Sequence, residues 1–241
     1  MSASDARHEG APGSPVLRLG AGEIWSRPGL SRRDRSLAVI SLLTALGREL
    51  ELREHVAAGL DHGLRRDEID EIMVQTGAYA GVPFALSGAR VVAAVCAERD
   101  GTAQRAAPPA PAEEKGDERR RSDGLDALRT LLGMPAGADM TPVADAIVAQ
   151  LGEMGRLVID FAFGEVWSRP QLSRRDRSLV VVSVLTALSL ERELATHLQG
   201  ALHHGVTPSE VEELMLTAVV YAGFPRAIFG LELARKAFAL P

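Results

Sequence analysis

GEIWSRPGLSRRDRSL, beginning at Gly22, and GEVWSRPQLSRRDRSL, beginning at Gly164, are one stretch written twice. The offset of 142 residues holds without a gap to the end of each copy. Trp25 pairs with Trp167, Arg27 with Arg169, Glu51 with Glu193 and His55 with His197. His62 pairs with His204, Tyr79 with Tyr221 and Pro83 with Pro225. Repeat arrays stack several short units. Two long units read instead as duplication and fusion, and any site in one copy is expected in the other.

Each copy reads as four helices. Ser31 is an N-cap with Asp34 three residues on, a variant capping box. From there the apolar period runs through Leu37, Ile40, Leu43 and Leu46 and stops near Gly47. Further helices are expected over 48–62, 66–80 and 83–98, with Gly63 and Gly81 as stops and Pro83 as a first-turn residue. The second copy repeats them over 174–188, 190–204, 208–222 and 225–239, with Thr207-Pro208 a stronger start than its counterpart. No stretch alternates as a strand does. The fold class is all-α: two tandem helical modules related by a pseudo-two-fold.

Outside the repeat the copies differ. Residues 1–15 read as a disordered start and 16–98 as a first module. Residues 99–122, rich in Pro, Ala and charge without an apolar period, read as a linker that is flexible or ordered only by docking. Residues 123–241 form the second module. It alone has a helical lead-in, in LDALRTLLG and in PVADAIVAQLGEMGRLVIDFAF, which Thr141-Pro142 opens. The first module is therefore read as N-terminally truncated, and the second as holding the complete cavity.

Composition excludes several classes. A net charge of −5 argues against nucleic acid or an anionic membrane as partner. A single cysteine, Cys96, is incompatible with an intrachain disulfide or a C-x-x-C site. The first residues show no apolar signal region, and no apolar run reaches membrane-spanning length, so a cytoplasmic protein is expected. With 4% aromatic residues, helix-forming Ala and Leu carry much of the core.

The second helix of each copy carries the chemistry. Glu51 and His55, like Glu193 and His197, stand four apart and share a face. A carboxylate there raises the imidazole pKa and orients the ring, as acid/base work requires. The plainer reading is a surface ion pair. His62 lies about 10 Å along the helix from His55, too far to share one metal ion, so no metal site is assigned. His62 and His204 suit a cationic role at a helix C-terminus, with His204 also a candidate for substrate binding.

In the W-S-R-P turn, Trp25 and Trp167 offer an apolar wall or a core plug. Arg27 and Arg169 offer a carboxylate anchor or a solvated charge. The R-R-D-R run reads as a solvated helix face. Tyr79 and Tyr221 are candidates for substrate contact or packing, and Cys96 for the core.

Taken together, GEVWSRPQLSRRDRSL, LERELATHLQGALHHGVTPSEVEEL and YAGFPRAI resemble the carboxymuconolactone decarboxylase family, within the alkyl hydroperoxidase-like superfamily. The resemblance covers the second copy from about Ser122 and the first from Gly22 to about Glu98. It implies modules that assemble as trimers or hexamers, here a homo-oligomer of the form trimer of tandem chains. It implies a reaction without cofactor on a small cyclic carboxylic acid or lactone, with loss of CO₂ and a shift of the ring double bond. His55 and His197 match the family's histidine, and Glu51 and Glu193 its companion acid. The peroxide-reducing branch places cysteines four and seven residues before that histidine. Here those places hold Glu193 and Leu190, or Glu51 and Arg48, so a peroxidase is excluded. A tailoring enzyme of secondary metabolism (dehydration, cyclisation or isomerisation) and a non-catalytic binding or assembly protein remain as alternatives.

Overall fold

The computed structural model describes residues 18–99, 101 and 114–239. The disordered start expected over 1–15 and most of the linker lie outside them. Every regular element among the described residues is a helix. A π-helical segment, π1 (Arg18–Ile24), precedes α1 (Arg32–Ala45), α2 (Glu49–Asp61), α3 (Arg66–Ala80) and α4 (Val82–Arg99). Then come α5 (Asp117–Leu131), α6 (Thr141–Leu151), α7 (Glu153–Leu157) and the π-helical π2 (Val158–Trp167). The second copy ends with α8 (Arg174–Leu188), α9 (Glu191–His203), α10 (Pro208–Ala222) and α11 (Phe224–Ala237).

Local chemistry explains the starts. Ser31 and Ser173 accept from the backbone N–H of Asp34 and Asp176, each at 3.0 Å. Only half of the expected box forms, because both aspartates turn to the opposite module. Asp176 accepts from Arg33, and Asp34 from Arg175. At α10 the box is complete, with Thr207 N–H donating to Glu210 at 2.8 Å and Glu210 N–H to the Thr207 hydroxyl at 3.3 Å.

Helices α1 and α8 pack on each other at the centre and are buried nearly all round. Their polar residues are bonded inward: Ser41, Thr44, Ser183 and Thr186 each donate to the carbonyl four residues back. The packing crosses between copies. Helix α3 lies on α8 as well as on α1, and α10 on α1 as well as on α8. The two modules thus share one core.

Three expectations need correction. The R-R-D-R run is not a solvated face: Arg35 and Arg177 are fully buried, because α1 and α8 are enclosed by both modules. Helix α5 begins at Asp117, inside the span read as linker. Its basic residues dock it: Lys115 donates to the Gly164 carbonyl at 2.8 Å, and Arg120 and Arg121 pair with Glu165 and Asp160. The apolar run after Pro142 is not one helix. It breaks at Gly152, whose φ of +61° ends α6, and it continues as α7 and π2. No helix among the described residues is long and apolar enough to cross a membrane.

Candidate functional site

The fourth residues of the two G-E-x-W turns, Trp25 and Trp167, close the π-helical segments onto α2 and α9. Trp167 is stacked on His197, with ring centroids 5.7 Å apart and planes at 14°. Trp25 does the same with His55, at 5.9 Å and 13°. His204 lies tilted against Trp167 at 5.7 Å, and His62 against Trp25 at 5.6 Å. Seven residues is about two helical turns, so both histidines reach one indole.

The tyrosine comes from the other module. Tyr79, at the end of α3, meets His197 edge-on at 5.2 Å, and Tyr221, at the end of α10, meets His55 at 5.0 Å. The Trp167 indole N–H donates to the Tyr79 hydroxyl at 2.7 Å, and Trp25 to Tyr221 at 2.9 Å. The Tyr79 hydroxyl lies 3.2 Å from His197 Nε2. Each site therefore takes its tryptophan and histidines from one module and its tyrosine from the other.

Under the tyrosines lies a charged layer built the same way. Glu71 of α3 accepts from Arg169 Nε at 2.8 Å and from Arg177 Nη2 at 2.7 Å. Glu213 of α10 accepts from Arg27 Nη2 at 2.6 Å and from Arg35 Nη2 at 3.3 Å. Arg177 Nη1 also donates to Gln75 at 2.6 Å. Two guanidiniums face one carboxylate in each cluster, which leaves positive charge in surplus beside each site. Hydrogen bonds from Arg27 and Arg35 hold the Glu213 carboxyl below its ordinary range. Glu71, Glu213, Arg35 and Arg177 escaped the sequence reading, although all four recur at the offset of 142. For the two arginines the signal was their place at the head of a mostly apolar helix; for Glu71 and Glu213 it was the repeat alone.

The expected residues are placed unevenly. His55 and His197 are buried, whereas Glu51 and Glu193 are exposed at the first turns of α2 and α9. No hydrogen bond or ion pair joins Glu193 to His197 among the described residues. The expectation of a raised histidine pKa is reversed there. Burial, and secondarily the neighbouring His204, push His197 down from 6.5 to about 3. His204 is also no cation. Burial and then Arg174 lower it to about 4. Its nitrogens meet the Ser178 hydroxyl at 2.8 Å and the Thr130 hydroxyl at 3.1 Å. His62 Nδ1 lies 2.7 Å from the Ser36 hydroxyl. Arg169 turns only Nε to Glu71, so its two Nη groups have no partner among the described residues. Trp167 is fully buried and Trp25 half-buried. Cys96 is buried in the core.

One atom stands out. His197 Nδ1 is buried and has no hydrogen-bond partner among the described residues. An orphaned buried polar group costs about 1–3 kcal/mol. Such a group in a ring of aromatic side chains suits a ligand better than it suits stability.

The model of the "Carboxymuconolactone decarboxylase family" matches residues 14–94 and again 152–236. Over 78 residues the chain is 47% identical to a 4-carboxymuconolactone decarboxylase of Acinetobacter baylyi, which covers 32% of this chain and 58% of that protein. Over 80 residues it is 38% identical to a nitrosuccinic acid decarboxylase of Metarhizium robertsii, covering 33% of this chain and 56% of that one. The chain thus spans just over half the length of either curated relative. With both copies matched and well over half of its residues covered, the chain belongs to the carboxymuconolactone decarboxylase family.

Proposed function

We propose that this chain is a cofactor-independent decarboxylase of a small cyclic carboxylic acid or lactone, working at two sites. The observation that carries the reading is the buried, neutral His197, stacked on Trp167 with Nδ1 unpartnered. Both relatives are named for the loss of CO₂ from a small acid.

In such a reaction the bond from the ring carbon to the carboxylate breaks. Its electron pair runs through the ring double bond to the lactone carbonyl, and CO₂ departs. One proton per turnover, drawn from solvent, then joins the vinylogous ring carbon. A neutral imidazole N–H suits the carbonyl oxygen where negative charge gathers. Arg169, with its Nη groups unpartnered, suits a second carboxylate of the substrate, and Arg27 holds the same place in the other site. Trp167 and Trp25 supply a flat apolar wall. Glu193 and Glu51, exposed one turn before the histidines, are assigned the uptake of the solvent proton. Tandem chains are proposed to assemble as a homotrimer in the cytoplasm.

The test is turnover of 4-carboxymuconolactone in D₂O by the full chain and by His55→Asn, His197→Asn and the double variant. CO₂ release and one deuterium on the ring carbon are expected from the native chain. The double variant should lose about 10²-fold or more. Undiminished turnover by the double variant would remove the histidines from the mechanism. The likeness to a nitrosuccinic acid decarboxylase favours a second reading, tailoring in secondary metabolism on an acyclic nitro acid. Turnover of nitrosuccinate but not of the lactone would decide for it.

A further inference from the structure

We infer that the tyrosine of each module fixes which nitrogen of the other module's histidine carries the proton, so that both sites work in a crossed pair. The inference rests on the histidine role proposed above and adds Tyr79 and Tyr221 to it as positioning residues.

The argument follows the hydrogens. An indole N–H only donates, so Trp167 must give its hydrogen to the Tyr79 oxygen, 2.7 Å away. Burial raises the Tyr79 pKa, so the phenol keeps its own hydrogen. That hydrogen has one acceptor among the described residues, His197 Nε2 at 3.2 Å. His197 is neutral, so its single ring hydrogen is left on Nδ1, the atom without a partner. The chain Trp167 to Tyr79 to His197 thus ends in an N–H offered to whatever enters. It begins in the second module, passes through the first and returns. Trp25, Tyr221 and His55 repeat the indole-to-phenol hydrogen bond and the ring contacts with the modules exchanged, and the same tautomer is assigned to His55 on that likeness.

The experiment is ¹⁵N NMR of the full chain labelled at its 6 histidines. Loss of a signal in His197→Asn and in His55→Asn assigns the two rings. Native His197 should show Nδ1 as the protonated nitrogen. Tyr79→Phe should move His197 toward protonation at Nε2 and leave His55 in place, and Tyr221→Phe should move His55 alone. Trp167→Phe keeps the phenol and should shift His197 less than Tyr79→Phe does. In a His55→Asn background, Tyr79→Phe should lower kcat about ten- to a hundred-fold with little change in KM. A His197 spectrum unchanged by Tyr79→Phe, or a change at His55 in its place, would overturn the inference. Absence of turnover by the native chain would refute the decarboxylase reading and leave the tautomer result standing.

Discussion

At the scale of single residues, His197 shows how environment overrules motif. Its spacing from Glu193 was legible and suggested a charged, carboxylate-held ring. The helix period says which residues share a face but not how deep each one sits. Glu193 ends in solvent, while Leu194 and Leu198 share the burial of His197. The consequence is a neutral histidine with a folded pKa near 3, against 6.5 unfolded. Between those values the unfolded chain binds a proton that the folded chain refuses. Stability should be unaffected by this group above pH 6.5 and should fall as the pH drops below it, by up to about 1.4 kcal/mol per unit. Urea unfolding at pH 7.5, 6.5, 5.5 and 4.5 measures the slope, and His197→Asn should flatten it by that amount. An equal slope in the variant would mean that His197 titrates normally. The kcat profile should likewise lack an inflection near pH 6.5.

At the scale of elements, most helix starts and stops were readable, since caps and glycines act locally. Helices over 66–80, 174–188 and 208–222 match the reading end for end. Docking was one of two readings of the linker, and what escaped was the helix that it orders. The charged start of α5 has no apolar period, and only its partners Asp160, Glu165 and the Gly164 carbonyl make it a helix with a place. The same element makes the two sites unequal. Helix α5 seats Leu131 against Gly200, where an added Cβ would lie 2.1 Å from Leu131 Cδ1. Thr130 reaches His204 from the same helix. The counterpart of Gly200 in the first module is Ala58, and α2 carries no helix like α5 among the described residues. Gly200→Ala should therefore displace Leu131 and destabilise the fold by about 1–3 kcal/mol, as overpacking does. Ala58→Gly should cost only the helix propensity, about 1 kcal/mol. Thermal unfolding of the two variants measures both effects, and a Gly200→Ala variant more stable than the native chain would show that α5 does not seat there.

At the scale of the molecule, the duplication was legible and the crossing was not. A repeat says that Tyr79 and Tyr221 have the same role. It is silent on whether each serves its own module or the other, because sequence similarity carries no information about which copy supplies a neighbour. The fold settles the matter through the central α1–α8 pair, which brings α3 and α10 across the two-fold. The same crossing places Glu71 on Arg177 with their side chains 1% and 0% exposed. Glu71→Ala would leave the Arg177 guanidinium buried without a carboxylate and should cost about 3–5 kcal/mol in chemical unfolding. Glu71→Gln, which keeps an acceptor, should cost less, and a loss below about 1 kcal/mol in Glu71→Ala would place this layer outside the shared core.

Two double variants test the crossed, duplicated site against each other. His55→Asn with Tyr221→Phe damages one site twice and leaves Trp167, His197 and Tyr79 whole. His55→Asn with Tyr79→Phe damages both sites once. Measured as turnover of 4-carboxymuconolactone on folded, full-length protein, the first should match His55→Asn alone. The second should fall about ten- to a hundred-fold below it. The reverse order, with the His55/Tyr221 pair crippled and the His55/Tyr79 pair matching His55→Asn, would mean that each module keeps its own tyrosine and would contradict the account.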